Sequence, residues 1–93
     1  MLKVDPSRQA AKFLKGLPPK QARQLARKIT ELRQDPQPPD SRLLHGKHAS
    51  FRRADAGEYR LVYRVEGDTL YLFVVGKRND DAVYRLLERR DPR

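Results

Sequence analysis

The sequence predicts one small α+β domain over residues 1–93, in which two helices pack on an antiparallel sheet of about four strands. Three observations support this fold class. Two stretches in the first half repeat their apolar residues with the period of an amphipathic helix. The second half instead alternates apolar and polar residues, as a strand with one buried face does. A chain of 93 residues has room for only one hydrophobic core.

The first half of the chain is predicted to form a strand and then two helices. Residues 1–4 are short and partly apolar, which suits a first strand. Asp5 followed by Pro6 is typical of a helix N-cap and first helical position. One apolar stripe of the first helix consists of Ala10, Phe13, Leu14 and Leu17. That of the second helix, from Pro19 to Asp35, consists of Ala22, Leu25, Ala26, Ile29 and Leu32. The short turn between the helices predicts an antiparallel hairpin.

The second half is predicted to be a three-stranded meander and a short C-terminal helix. An extended loop through Pro38 and Pro39 leads to a strand at residues 51–54, and a turn follows near residues 56–57. Residues 59–66 alternate, and residues 70–75 are apolar on both faces, which indicates a central strand covered on each side. Asn79, Asp80 and Asp81 can cap the last helix, and residues 91–93 are expected to fray.

The charge of the chain indicates a polyanionic partner. The sequence holds 21 Lys and Arg against 12 Asp and Glu, a formal net charge of +9. Nucleic acid, a membrane surface or an acidic protein could meet such a charge. No long apolar run or signal-peptide core is present, so we expect a cytoplasmic protein that contacts no membrane. The absence of cysteine excludes a disulfide, a zinc–thiolate site and a thiol nucleophile.

Basic side chains recur on every strand of the predicted meander, and they are the main candidates for a binding site. Alternation places Arg60 and Arg64 on one face of their strand. If the strands are antiparallel neighbours, the arginines converge and repel one another, which a protein tolerates more readily where an anion binds. The alternative is that edge strands carry such residues to prevent aggregation. The residues concerned are Arg52, Arg53, Arg60, Arg64, Lys77 and Arg78.

Two further features allow more than one interpretation. Tyr84 follows the arginines, and nearby guanidinium groups would favour proton transfer by its phenol, although an ordinary core or interface aromatic is the simpler interpretation. His45 and His48 form an H-x-x-H pair beside Gly46, where solvated histidines are common. A metal site would need carboxylates from elsewhere, so we expect no metal. Lys47 or His48 could instead contact a phosphate backbone.

Several short motifs in order along the chain resemble the RelE/ParE toxin superfamily, and two of them resemble its RelE branch in particular. The motifs are FLK with LP at residues 13–18, ITELRQDP at 29–36, LHG at 44–46, GEYRLVY at 57–63, VGKR at 75–78, and Tyr84. The GEYRLVY and VGKR motifs are those typical of the RelE branch.

This resemblance implies a RelE-like fold and a toxin of a type II toxin–antitoxin system. It implies a ribosome-dependent endoribonuclease that cleaves messenger RNA in the A site, without a metal or other cofactor, by attack of a 2′-hydroxyl on the adjacent phosphate. The implied partners are a RelB-like antitoxin, the 70S ribosome with its messenger RNA, and operator DNA only through the toxin–antitoxin complex. One alternative is a ParE-like toxin that poisons DNA gyrase without nuclease activity. Another is a degenerate toxin that binds only its antitoxin and its promoter complex.

The resemblance also implies roles for individual residues. Arg60 would stabilise the pentacoordinate phosphate, Arg78 would protonate the leaving oxygen, and Tyr84 would act as the general base. Arg53 would help to hold the phosphate. The family's second basic residue on the first meander strand is not matched, because Phe51 or Asp55 stands at that place. The remaining candidates for RNA binding are Arg52, Arg64, Lys77 and Lys47.

Overall fold

The computed structural model describes residues 1–79 and 82–90, and the predicted α+β fold is confirmed. The helices are α1 (Arg8–Lys15), α2 (Pro19–Gln34) and α3 (Ala82–Arg90), with a turn of 3-10 helix at Gly46–His48. The strands are β1 (Lys3–Pro6), β2 (Arg42–Leu43), β3 (Arg52–Ala56), β4 (Tyr59–Glu66) and β5 (Thr69–Lys77). The predicted caps Asp80 and Asp81 and the predicted frayed tail lie outside the described residues.

The described strands form one mixed sheet in the order β1-β5-β4-β3-β2, rather than an antiparallel sheet of about four strands. β3, β4 and β5 form the predicted antiparallel meander. β1 lies parallel to β5, with Val4 opposite Leu70. β2 pairs with β3 over only two residues, Arg42 and Leu43. A strand of that length is too short to produce an alternating pattern, so the sequence predicts a loop there.

The start of α1 differs from the sequence prediction. Ser7, and not Asp5, is the N-cap, and its hydroxyl oxygen accepts a hydrogen bond from the backbone N–H of Ala10 at 3.0 Å. Pro6 is the last residue of β1 and lies opposite Leu72 of β5. Pairing with β5 keeps Asp5 and Pro6 extended, and this tertiary contact overrides the local preference of an Asp-Pro pair for a helix start.

Helices α1 and α2 cover one face of the sheet, as the apolar stripes predict. Ala10, Leu25 and Leu32 are fully buried there against sheet residues such as Leu61 and Tyr63. Ala26, which the sequence places on the same stripe, is exposed instead. None of the described helices has the length and apolar character needed to cross a membrane.

The opposite face of the sheet is covered by α3 and by the segment that holds the 3-10 helix. The second buried cluster on this face includes Val62, Val74, Val83 and Leu87. The close approach of α3 favours glycine at position 76, since a Cβ atom added there would lie 3.1 Å from Cγ2 of Val83, closer than most Cβ contacts. β5 therefore supplies buried side chains to both faces, which confirms the central strand predicted from residues 70–75.

Beyond the end of β1, the edge of β5 forms hydrogen bonds with side chains at the start of α1 instead of with another strand. The Gln9 amide donates to the carbonyl of Val75 at 2.8 Å and accepts from its N–H at 3.0 Å. The Ser7 hydroxyl donates to the carbonyl of Phe73 at 2.6 Å. These side chains satisfy backbone groups that an edge strand would otherwise leave unpaired.

Candidate active site

Strand register brings three charged residues together on the face that α3 covers. Asp55 of β3 lies opposite Arg60 of β4, and Arg53 lies opposite Val62 of the second buried cluster. Because side chains alternate along a strand, Arg53, Asp55 and Arg60 all point to this face. The expected convergence of Arg53 and Arg60 therefore occurs, but the carboxylate of Asp55, which departs from the family's basic pattern, lies between them.

Asp55 and Arg60 form a two-point ion pair. Nε of Arg60 lies 2.7 Å from Oδ1 of Asp55, and Nη2 lies 3.1 Å from Oδ2. The hydrogen bond from Arg60 holds the pKa of the Asp55 carboxyl below its ordinary value, and the charges of Arg60, Arg53 and Arg78 act in the same direction. The bond to Asp55 also raises the pKa of Arg60, so this guanidinium remains a fixed cation. Parallel bonds of this kind fix the orientation of the guanidinium plane.

Tyr84, in the first turn of α3, contacts the same guanidinium. Nη1 of Arg60 donates to the Tyr84 phenol oxygen at 2.9 Å, and Cζ lies 5.8 Å from the centre of the ring. Of the five N–H groups of a guanidinium, Arg60 commits three to Asp55 and Tyr84. Gly76 allows α3 to approach the sheet closely enough for this contact, because it lies opposite Arg60 on β5 and leaves room for Val83.

Arg78 and Arg53 complete the site. We call Arg53, Asp55, Arg60, Arg78 and Tyr84 together the arginine cluster. Arg78 follows β5, where its backbone N–H donates to the carbonyl of Glu58 at 3.0 Å. Its side chain is half exposed, and Nη1 lies 3.5 Å from Oδ2 of Asp55. Arg53 and Tyr84 both line a neighbouring cavity of about 400 Å³. The side chains of Arg53, Asp55, Arg60 and Arg78 together carry a net charge of +2, from three guanidinium charges and one carboxylate.

Four other basic candidates lie away from this cluster. Arg52 points to the opposite face, where Nε donates to the Ser41 hydroxyl at 3.1 Å, so the expected convergence is wrong for this residue. The expected convergence is also wrong for Lys77. This residue lies opposite Tyr59, whose side chain packs in the core beneath α1 and α2. Alternation along a strand explains both results. Arg52 and Lys77 are next in sequence to Arg53 and Gly76, which lie on the face that α3 covers, here called the site face.

Arg64 and Lys47 are on the site face but make other contacts. Arg64 lies four residues along β4 from Arg60, about 13 Å away at an ordinary strand rise. Its Cζ lies 5.4 Å from the centre of the Phe51 ring. Nζ of Lys47, in the 3-10 helix, forms an ion pair of 2.8 Å with Glu88 of α3.

The H-x-x-H pair lies beside the cluster rather than in it. Nε2 of His48 lies 3.1 Å from Oε2 of Glu88, and both His45 and His48 line the cavity that Arg53 and Tyr84 share. Within residues 1–79 and 82–90, the structure brings together no group of three or more His, Cys, Asp or Glu side chains that could hold a metal ion.

The fold agrees with that of a small toxin of a type II toxin–antitoxin system, and a family comparison shows this class directly. The model of the family described as ParE toxin of type II toxin-antitoxin system, parDE, matches residues 4–82. The chain therefore belongs to this family of the RelE/ParE superfamily, and it is a RelE-like toxin. A search of curated proteins found no match.

Solved structures of toxins from several organisms share the fold. The toxin–antitoxin complex RelBE2 from Mycobacterium tuberculosis is 25% identical with a TM-score of 0.72, over 83% of this chain and 98% of that chain. The isolated RelE toxin of E. coli is 23% identical with a TM-score of 0.72, over 98% of this chain and 99% of that chain. The RelE–RelB complex from Pyrococcus horikoshii is 24% identical with a TM-score of 0.72, over 85% of this chain and 97% of that chain.

Proposed function

We propose that this toxin is an endoribonuclease that cleaves messenger RNA in the A site of the 70S ribosome, without a metal. The observation that carries the proposal is the 2.9 Å hydrogen bond from Arg60 to the phenol oxygen of Tyr84, within a cluster of guanidinium groups. It sets a group that can exchange a proton beside a fixed cation, and phosphoryl transfer needs both. The resemblance of residues 57–63 and 75–78 to the RelE branch supports RNA as the substrate.

In the proposed reaction, the 2′-hydroxyl of one nucleotide attacks the adjacent phosphorus. Tyr84, acting as the general base in its deprotonated form, accepts the 2′-hydroxyl proton while the new O2′–P bond forms. The remaining N–H groups of Arg60, together with Arg53, stabilise the charge on the pentacoordinate phosphate. The P–O5′ bond then breaks, and Arg78 supplies the proton to the leaving 5′-oxygen. The products are a 2′,3′-cyclic phosphate and a free 5′-hydroxyl.

Asp55 has a positioning role in this mechanism. It holds Nε and Nη2 of Arg60, so that Nη1 is directed to Tyr84. It lies only 3.5 Å from Nη1 of Arg78, so the same carboxylate contacts Arg60 and Arg78, two of the three arginines that would act in the reaction. A substrate phosphate would compete with Asp55 for Arg78 more readily than for Arg60, because the Arg78 contact is longer and more exposed.

The expected partners follow from the family and its solved relatives. The structures from Mycobacterium tuberculosis and Pyrococcus horikoshii are complexes of a toxin with an antitoxin. We propose that a RelB-like antitoxin likewise silences this toxin, and that the pair contacts operator DNA only as a complex. On the ribosome, Arg64 and Lys47 would contact the RNA backbone at positions beyond the cluster. Such a protein acts in the cytoplasm.

Cleavage of ribosome-bound messenger RNA by the purified toxin tests the proposal. Primer extension should reveal cuts within A-site codons, and the downstream fragments should accept phosphate from polynucleotide kinase without prior phosphatase treatment. Tyr84→Phe and Arg78→Ala should each slow cleavage about a hundredfold or more, the usual loss when an acid–base group is removed. Tyr71→Phe, which removes a phenol hydroxyl opposite Arg64 and away from Arg60, and Arg23→Ala, which removes an exposed guanidinium from α2 across the sheet, should cleave at the wild-type rate.

The alternative function is poisoning of DNA gyrase, and the description of the matching family as ParE toxins favours testing it. A gyrase poison would leave ribosome-bound message intact and would produce enzyme-linked breaks in supercoiled DNA incubated with gyrase and ATP. That pair of results would refute the nuclease proposal. Cleaved message with unbroken DNA supports it.

A further inference from the structure

We propose that the cavity beside the arginine cluster is a nucleobase subsite, and we call it the histidine pocket. It would receive the base of a nucleotide adjoining the scissile phosphate, so this inference rests on the proposed RNA substrate. The pocket has a volume of about 400 Å³, within the usual range for small-ligand sites. Its lining includes Arg42, Leu44, His45, His48, Arg53 and Tyr84.

The position of the histidine pocket links it to the reaction. Arg53 and Tyr84 belong both to its lining and to the arginine cluster. Tyr84 accepts a hydrogen bond from Arg60, the residue proposed to meet the phosphate. A nucleotide whose phosphate lies at the cluster therefore has its own base or a neighbouring base within reach of the pocket.

The lining has the chemistry that recognises a base in single-stranded RNA. Such bases stack on aromatic rings or on arginine guanidinium planes, and their edges hydrogen-bond to polar groups. The pocket offers the rings of Tyr84, His45 and His48 and the apolar side chain of Leu44. Arg53 offers a guanidinium that forms no hydrogen bond or ion pair with any other residue the structure describes.

The two histidines differ in how firmly they are held. The His48 side chain is only 12% exposed, and its contact with Glu88 ties the 3-10 helix to α3. His45 is exposed and immediately precedes that helix. We therefore assign His48 to the wall of the histidine pocket and His45 to direct contact with the base. This gives the H-x-x-H pair a function that does not require a metal.

A nucleotide titration followed by NMR tests the proposal directly. The chain contains only two histidines, so its imidazole signals can be assigned with a single His45→Ala variant. The probes are the four nucleoside 3′-monophosphates, with inorganic phosphate and ribose 5-phosphate as controls that lack a base. At least one nucleotide should shift both imidazole signals saturably, whereas the two controls should not.

Variants identify the contacts that bind the base. His45→Ala and Arg53→Ala should each weaken nucleotide binding by about fivefold or more, as expected when a stacking partner is lost. Arg23→Ala, an exposed charge on α2 across the sheet, should bind like the wild type. A pocket that responds equally to inorganic phosphate, or to no nucleotide at all, would overturn the proposal. So would imidazole shifts that appear only when an antitoxin is added.

Ribosome assays separate this inference from the proposed function. If the wild-type toxin cuts message, His45→Ala should change which codons are cut, and an unchanged distribution of cut sites would contradict the assignment. If the wild type does not cut message at all, the proposed function fails, but the nucleotide titration still decides whether a base enters the histidine pocket.

Discussion

Replacing Asp55 with alanine is the most informative single change, because Asp55 is the carboxylate through which the arginines of the site are held together. The substitution removes the acceptor of both short bonds from Arg60 and of the longer contact from Arg78. It also leaves the positive charges of Arg53, Arg60 and Arg78 without this compensating charge. We therefore expect Asp55→Ala to destabilise the fold.

The magnitude follows from the exposure of the pair. The Asp55 side chain is 29% exposed and that of Arg60 is 14% exposed, so the pair is neither fully buried nor free in solvent. Exposed pairs contribute about 0–1 kcal/mol, and removing one partner of a buried pair costs roughly 3–5 kcal/mol. An intermediate loss of about 2 kcal/mol is expected, which lowers the melting temperature of a domain this size by roughly 10 °C. Asp55→Asn should lose less, because an amide oxygen can still accept from Nε of Arg60.

The loss should depend on pH in a defined direction. The folded state lowers the pKa of Asp55, so the unfolded state takes up its proton first as the pH falls. The stabilisation is complete above the unfolded pKa of about 3.9 and is lost as the pH falls through the lower folded value. Urea denaturation should therefore show the full difference between wild type and Asp55→Ala from pH 5 to pH 7, with a smaller difference below about pH 4.

Asp5→Ala is the matched control, since it removes an exposed carboxylate from β1, which is separated from β3 by β5 and β4. It should change the free energy of unfolding by less than about 0.5 kcal/mol. If Asp55→Ala were as stable as this control at pH 7, the argument that Asp55 holds the cluster together would be wrong. The same conclusion would follow if the loss did not diminish in acid.

Two further predictions concern the elements that support the site. Gln9→Ala should lower the free energy of unfolding by about 1–3 kcal/mol in urea denaturation, because Val75 loses the partners of its N–H and carbonyl; Gln34→Ala, on the exposed end of α2, should have little effect. Gly76→Ala should lower the melting temperature by roughly 5 °C, because the new methyl group meets the fully buried Val83. A melting temperature equal to that of the wild type would show that α3 can move away from the sheet without loss of stability.

Local patterns predicted those parts of the fold that have a local cause. The helical stripes of α1 and α2 and the alternation in β4 each arise from burial of one face, which a short window of sequence records. β2 spans two residues, and β1 is extended at Pro6 only because β5 lies beside it. Both features depend on contacts between distant segments, so no local pattern reports them.

The pairing of Asp55 with Arg60 could have been predicted from the sequence. The predicted turn near residues 56–57 lies one residue early, because the observed hairpin pairs Ala56 with Tyr59 around Gly57 and Glu58. Gly57 has a φ of +60°, the left-handed conformation that short hairpin turns often require of glycine. Placing the turn at this glycine sets Asp55 opposite Arg60, and opposite charges across strands stabilise a pair. The contact between Arg60 and Tyr84, in contrast, depends on where α3 crosses the sheet.

Asp55 also changes what the arginine cluster implies. Arginines gathered without a counter-ion would by themselves indicate a bound anion, as the basic residues of the predicted meander suggested. With Asp55 holding Arg60 by two bonds, much of the repulsion is relieved within the protein, so the charge cluster alone does not require a phosphate. The case for phosphoryl transfer instead depends on what Asp55 leaves available: a half-exposed Arg78, an Arg53 that faces a cavity, and a tyrosine oxygen fixed against a permanent cation. A purely structural ion pair would account for Asp55 and Arg60, but it would leave the arrangement of these other groups unexplained.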